Sequence, residues 1–297
     1  MAGVQFPCDF AAGAPIFLAG PTAAGKSAVA LALAEKCAGE IISVDSMQVY
    51  RGMDIGTAKP SPEEQRRAPH HLLDVVDVTQ PFDAAQFVRL ARAAASDIQA
   101  RGRTPIFCGG TGFYFKAYLE GLGEAPPSDA ALRAELAATP LAVLLKELEQ
   151  ADPVAFANID RQNPRRVTRA VEVIRLTGKP FSLQRAPLPA HAAPFSFGLT
   201  RPAGELRDRI HGRVDEMFRR GLVAETEFLL SKGLGESPSA LQALGYRQVV
   251  EHLRGARSLA ETIDLVKIRT RQFAKRQLVW FRRQMRLEWL AFSDSKK

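Results

Sequence analysis

The stretch GPTAAGKS, residues 20–27, is the first part of the sequence that specifies chemistry. It fits G-x-x-x-x-G-K-[ST], with an apolar run, PIFLAG (15–20), before it and a helical pattern, residues 26–38, after it. The loop Gly20, Pro21, Thr22, Ala23, Ala24, Gly25 lets the backbone wrap a diphosphate, its N–H groups gathered at a helix N-terminus. Lys26 adds a positive charge for a terminal phosphate, and Ser27 offers a hydroxyl to Mg²⁺. The motif specifies a diphosphate group and leaves open which molecule carries it.

Two further stretches stand where chemistry is expected. Asp45 ends the apolar run IISV at the carboxyl edge of a strand, the edge of an open α/β sheet where ligands bind. There it can serve as a Mg²⁺ ligand, a general base or a cap for the next segment. GGTGFYFK (109–116) follows another strand in the same position. Its glycines permit close approach of a second ligand, with Thr111 free to hydrogen-bond it; the competing reading is a plain strand–helix turn with Phe113, Tyr114 and Phe115 in the core.

The elements that must hold these residues alternate in type. PIFLAG, EIISVDS (40–46), HLLDVVDV (71–78) and TPIFCGG (104–110) read as buried strands. Residues 26–38, with Gly39 as the stop, and 82–102 read as helices between them. Strand–helix alternation predicts an α/β fold, a P-loop NTPase-like parallel sheet. From about 123 to 195 the signals turn helical, with Asn163 as N-cap, Pro164 at the first helical position, and Gly178 and Pro180 as the stop. A Pro-rich stretch, 185–194, leads back to a short strand, FSFGLT (195–200). The organisation expected is a tail (1–12), a core of 13–122 and 196–297 ending in helices, and an inserted all-helical lobe (123–195). Within the core, residues 204–232 and about 260–288 read as helices.

Composition bounds the partners. The chain has 297 residues, a formal net charge of +8 and 46% hydrophobic residues, ordinary for a soluble globular protein except for its basic excess. Residues 267–286 hold eight Lys/Arg and no Asp or Glu. On a helix, Lys267, Arg271, Lys275, Arg282 and Arg286 share one stripe beside an apolar stripe of Ala274, Leu278, Phe281 and Met285. Arg165, Arg166 and Arg169 make a second cluster in the helical lobe. Two such ridges predict a clamp for a polyanion. Cys8, Cys37 and Cys108 lack ligand spacing and read as reduced thiols. His70 and His71 face different ways on any regular element, which argues against a metal pair. No signal peptide or membrane-length apolar run is seen, so a cytoplasmic location is expected.

The order GPTAAGKS, DSMQVYRGMDIGTAKP (45–60), GGTGFYFK, NPRRVTRA (163–170), LGYRQ (244–248) and KRQLVWFR (275–282) closely resembles the tRNA dimethylallyltransferase family, also called tRNA isopentenyltransferases or IPP transferases. The resemblance runs from about residue 15 to 285, and the second of these motifs is its most specific part. It implies transfer of a dimethylallyl group from dimethylallyl diphosphate to the exocyclic amine of the adenosine just 3′ of the anticodon, in tRNAs reading codons that begin with U, with Mg²⁺ assisting. Asp45 then resembles the general base, and Thr22 to Ser27 the diphosphate cradle with Thr22 near its bridging region. Arg209 resembles the arginine that neutralises the leaving diphosphate, with Arg207 and Arg213 close by.

The implied tRNA contacts fall on Asp45, Ser46, Met47 and Gln48, on Thr111, and on Arg133. They continue at Arg165, Arg166, Val167, Thr168 and Arg169, and at Gln242, Ala243, Leu244, Gly245, Tyr246 and Arg247. The last group is Lys275, Arg276, Gln277, Leu278, Val279, Trp280, Phe281 and Arg282. Gln242 departs from the family, which usually has arginine there. The partner implied is the anticodon stem-loop, bound by a monomer. An isopentenyltransferase acting on free AMP or ATP needs neither basic ridge, and a small-molecule kinase gives no reason for them. A guanine-reading N-K-x-D segment is not seen.

Overall fold

The computed structural model describes residues 10, 13–123, 125–184 and 195–291. The N-terminal tail, Cys8 among it, and the Pro-rich stretch 185–194 lie almost wholly outside them. The chain divides into two compact units, Met1–Leu119 with His191–Lys297, and Glu120–Ala190.

In the larger unit the elements run β1 (Ile16–Ala19), α1 (Lys26–Lys36), β2 (Gly39–Val44), α2 (Pro62–Arg67), β3 (His70–His71), α3 (Ala84–Ala100), β4 (Thr104–Gly109) and α4 (Gly112–Glu120). The smaller unit holds α5 (Ala130–Ala138), α6 (Leu141–Ala151), α7 (Pro153–Asn158) and α8 (Pro164–Thr177). The larger unit resumes with β5 (Phe195–Thr200), α9 (Ala203–Arg219), α10 (Leu222–Ser231), α11 (Tyr246–Leu253), α12 (Leu259–Gln284) and β6 (Glu288–Ala291).

The six strands form one parallel sheet in the order β3-β2-β4-β1-β5-β6. Strands β1, β2 and β4 are buried throughout, as a parallel sheet covered on both faces requires. Alternate residues serve opposite layers. Ile16, Leu18, Ile41 and Ile106 pack on Val29, Ala30 and Leu33 of α1. Phe17, Ile42 and Phe107 face Phe87, Ala91 and Ile98 of α3, Phe115 of α4 and Phe281 of α12. Ala19, Val44 and Gly109 stand in register, so the phosphate loop, Asp45 and the GGTG turn leave the sheet side by side.

The smaller unit has its own core, built on Leu136, Leu144, Leu148, Val167 and Val171. Asn163 caps α8 by accepting from Arg166 N, and Gly178 closes it at φ +66°.

Four expectations are corrected. The strand over 71–78 is reduced to His70–His71, because Leu72 and Asp74 take left-handed φ of +64° and +53° and end the extended run. The helix over 204–232 is broken at Gly221, whose φ of +96° separates α9 from α10. The C-terminal helix stops at Gln284, and Met285 turns extended so that the chain adds β6 to the sheet. Trp289 of β6 lies where a Cβ on Gly198 would come within 2.7 Å of its ring, so the glycine admits it. Gly39 is no helix stop: Ala38 takes the left-handed position, and Gly39 opens β2 close against Ile106 and Thr104.

Candidate active site

The phosphate loop is held open by its own conformation and by α9. Gly25, at φ +101°, takes a left-handed turn that only glycine adopts at low cost, and Ala23 sits at φ +62°. Its carbonyls turn outward: Ala23 O accepts from Arg209 Nε at 3.0 Å, and Ala24 O from Arg201 Nε at 2.9 Å. Lys26 Nζ donates to Pro21 O at 2.8 Å. Burial, with Arg213 adding its charge, pushes the Lys26 ammonium down to about 8.

This loop forms one side of a cavity of about 260 Å³ whose lining includes Thr22, Lys26, Ser27, Asp45, Glu64, Cys108, Arg209, Arg213 and Gln277, three cations against two carboxyls. A second cavity, of about 410 Å³, shares Thr22, Asp45, Thr57, Ala58, Arg213, Phe273 and Gln277 with the first. Its remaining wall is largely apolar, from Met47, Val214, Met217, Ala243, Leu244 and Val266, with Ser46, Thr111, Thr270, Gln242 and Arg276 as polar members. A cationic, phosphate-sized chamber therefore opens onto an apolar one, and Asp45 stands at the junction.

Asp45 has no cation in direct contact among the described residues. Its Oδ1 accepts from Met47 N at 2.8 Å and Gln48 N at 3.3 Å. Burial pushes its carboxyl above the usual range, outweighing those two amides and the Lys26 charge. A carboxylate so placed is a stronger base than one in water. Burial also raises the Cys108 thiol to about 11, so it is a neutral wall of the cavity.

The wall beyond Asp45 is built by a network around the DSMQVYRGMDIGTAKP loop. Gln48 Oε1 accepts from Ser43 Oγ, and Gln48 Nε2 donates to the carbonyls of Thr57 and Ala58. The Glu225 carboxylate of α10 accepts from Asp54 N, Ile55 N, Gly56 N and the Tyr246 hydroxyl. Gly56 lies against the Tyr246 ring, where an added Cβ would fall 2.4 Å away. Lys59, buried, reaches Tyr50 O, Asp54 and Asp74. Glu225 carries no signal in the sequence, since a glutamate on an amphipathic helix reads as solvent face.

In the GGTG turn Gly109 and Gly110 line the smaller cavity, and its three glycines also admit neighbouring chain. A Cβ on Gly109 would strike Val44 O at 2.0 Å, on Gly110 Gln277 Nε2 at 2.4 Å, and on Gly112 the Trp280 ring at 2.1 Å. These glycines admit β2 and α12. Of the aromatic trio, Tyr114 and Phe115 are core and Phe113 is 56% exposed. Thr111 keeps a site role: its Oγ1 accepts from Ser46 N at 3.1 Å beside Asp45.

Several segments implied to touch tRNA contain residues that cannot reach it. Val167, Tyr246 and Phe281 are fully buried, Gly245 is buried, and Trp280 is half-buried against Gly112; they seat their helices and turns, whereas Ala243, though buried, faces the second cavity. Arg133 and Arg169 converge on buried Glu172, at 3.0 and 2.7 Å, and so anchor the smaller unit from within. Arg165 and Arg166 are exposed, and Thr168 is half-buried. On α12 the basic stripe is shorter than expected. Lys267 pairs with Asp215 at 2.6 Å, Arg286 lies past the helix end, and Arg282 rests over Trp289. Lys275, Arg276 and Val279 stay exposed, and Leu278 is half-buried. Arg247 pairs with Glu251. Gly20, Pro21 and Ala24 are buried behind the loop surface. Arg213, beside the Arg209 of the family resemblance, lines both cavities and lies 3.5 Å from Thr22 Oγ1.

Comparison with known proteins places the chain in a family. The IPP transferase family model matches residues 48–284. The chain is 45% identical over 287 residues to tRNA dimethylallyltransferase 1 of Trichlorobacter lovleyi, covering 94% of both chains. It is 46% identical over 292 residues to the tRNA dimethylallyltransferase of Geobacillus thermodenitrificans, covering 95% of this chain and 91% of that one. The crystal structure of tRNA isopentenylpyrophosphate transferase from Bacillus halodurans superposes with a TM-score of 0.70 at 39% identity, over 96% of this chain and 91% of that one. A eukaryotic dimethylallyltransferase acting on tRNA gives 0.80 at 28% identity, over 95% and 74%. The chain belongs to the IPP transferase family.

Proposed function

We propose that the protein transfers a dimethylallyl group from dimethylallyl diphosphate to the exocyclic amine of a tRNA adenosine, the one just 3′ of the anticodon in tRNAs reading UNN codons. The observation that carries this is the meeting of two unlike cavities at Asp45. The cationic cavity suits a diphosphate, and the apolar one suits a prenyl group facing a purine. The names of the relatives supply the same donor group and acceptor.

In this reading the amine nitrogen attacks the allylic carbon, forming the N–C bond as the bond from that carbon to the diphosphate oxygen breaks. Asp45 takes the proton from the amine. Lys26, the loop N–H groups, Arg209 and Arg213 receive the charge that collects on the departing diphosphate. Thr22, between the cavities, orients the bridging region. Mg²⁺ fits the hard oxygen donors at this point. Ser27 would hold it with diphosphate oxygens and water, an arrangement that needs no all-protein cage, and the described residues hold no cluster of three His, Cys, Asp or Glu side chains that could form one. When bound, it supplies further positive charge against the leaving group.

The target base is stacked in its loop and must be flipped out to reach Asp45. Exposed Lys275 and Arg276 then hold the RNA backbone beside it, and Arg165 and Arg166, exposed on the helical unit, are a second basic cluster suited to RNA. The reading carries a cytoplasmic monomer, and no helix among the described residues is long and apolar enough to cross a membrane. Incubation with labelled dimethylallyl diphosphate and bulk tRNA tests it: label enters tRNA and diphosphate is released. Label in AMP with none in tRNA, or phosphate transfer from ATP, would sink it.

A further inference from the structure

Gln277 belongs to the α12 segment that the family resemblance assigns to tRNA contact, yet its side chain faces inward and is only 8% exposed. It lines both cavities at their shared wall. Its amide is divided between two loops distant in sequence. Oε1 accepts from Thr22 N at 2.8 Å, and Nε2 donates to Gly110 O at 2.9 Å. The fit on the turn side is close, since a Cβ on Gly110 would fall 2.4 Å from Nε2. Trp280, one turn further along α12, is seated on Gly112 in the same manner, so the helix cannot slide without dislodging both contacts.

Thr22 is the residue whose position matters most here. It lines both cavities, and its hydroxyl lies 3.5 Å from Arg213. Ala23, next to it, has a left-handed φ that an alanine adopts only when its surroundings impose it. Two anchors impose it: Arg209 on the Ala23 carbonyl, and Gln277 on the Thr22 N–H. Removing the second leaves a partly buried N–H without its partner and lets the loop relax away from the strained turn.

We infer that Gln277 is a positioning residue, which holds the phosphate loop at Thr22 in register with the GGTG turn and so sets the diphosphate where Asp45 can serve it. The inference rests on the diphosphate reading of the loop. It assigns Gln277 to the donor side of the reaction, in contrast to a contact on the RNA.

The test is Gln277→Leu, which keeps the side chain's bulk and removes both hydrogen bonds. Inorganic pyrophosphate is titrated calorimetrically, tRNA affinity is measured by filter binding, and transfer is followed under single turnover. Pyrophosphate affinity should fall about tenfold and the transfer rate at saturating donor further still, while tRNA affinity stays within about twofold. Gly110→Ala, which displaces the amide without removing it, should reproduce the pattern, and the double variant should be little worse than either single one. Unchanged pyrophosphate affinity with weakened tRNA binding would overturn the inference. So would a folded Gly110→Ala protein with wild-type pyrophosphate affinity, which covers the case of a Leu variant that does not fold. Pyrophosphate binding does not depend on the prenyl donor. A protein that transfers nothing to tRNA but loses pyrophosphate through Gln277 would therefore reject the activity and leave this inference standing.

Discussion

Strand β2 carries a carboxylate near its start and another just past its end, and the two live in opposite surroundings. Glu40, 1% exposed, is met by Arg101, by Arg103 at 3.2 Å and by His71 at 2.6 Å. Burial alone would push its carboxyl up, but Arg101 and His71 pull it down to about 2. Asp45 is left with two backbone amides, and there burial prevails and raises it. Glu172 in the helical unit follows the Glu40 pattern, with Arg133 and Arg169 closing on it and holding its carboxyl low. The difference separates a carboxylate kept ionised for structure from one left under-solvated, the one that accepts a proton in the proposed reaction.

The comparison breaks most visibly if Asp45 is neutralised. Asp45→Asn should lower single-turnover transfer by about 10³-fold with tRNA affinity within about twofold. Its unfolding midpoint should rise. The folded Asp45 pKa lies above its ordinary value, so ionisation works against folding and stability is lost as pH rises through it. Substantial residual turnover in rapid-quench assays would remove Asp45 as the base.

Lys26→Met should cost about 10²-fold in transfer, since one cation on the developing diphosphate charge is lost. The wild-type kcat/KM for the donor should fall as pH rises through about 8, where the Lys26 ammonium of the free protein gives up its proton. Lys26→Met should lack that limb, and a pH profile that keeps it would assign the limb elsewhere.

Glu40→Gln is the converse of the Asp45 variant. Turnover should hold within about twofold while stability drops by about 3 kcal/mol in urea denaturation, because two arginines lose a buried partner. The Glu40 carboxyl is lower in the folded state, so its contribution is full above about 4.5 and lost as pH falls toward about 2. The variant's stability should therefore change less than the wild type's between pH 5 and pH 2. Equal acid sensitivity would show that other groups carry it. The smallest effect belongs to the surface: Lys275→Ala should weaken tRNA binding a few-fold and lower the salt slope by about 1. An unchanged slope would remove α12 from the RNA footprint.

What could be read from the sequence is what is local. The eight residues of GPTAAGKS carry their own geometry, and Asp45 follows at the end of a strand whose apolar run is unbroken. Asn163, Pro164 and Gly178 mark α8 because caps act on adjacent backbone. What failed depends on partners far along the chain. The glycines of GGTG read only as space for a ligand; Gly109 and Gly110 do line the smaller cavity, but the groups packed on Gly110 and Gly112, Gln277 and Trp280, lie more than 160 positions later. The acid-free run 267–286 read as an open cationic stripe, but Asp215 of α9 neutralises Lys267. Val167, Tyr246 and Phe281 sit inside motifs shared with a tRNA-acting family, and sharing a motif does not distinguish contact from support. Strand β6 was hidden because a four-residue edge strand, EWLA, has too little pattern to oppose a long helical signal.

The most direct test of the contrast along β2 is a ¹³C NMR titration of the two carboxyl carbons in the intact protein. Asp45 should titrate above its ordinary value of 3.8, and Glu40 should titrate near 2, far below its ordinary 4.5. An Asp45 carboxyl titrating at or below 3.8 would contradict the account, since it would then be an ion-paired structural acid like Glu40.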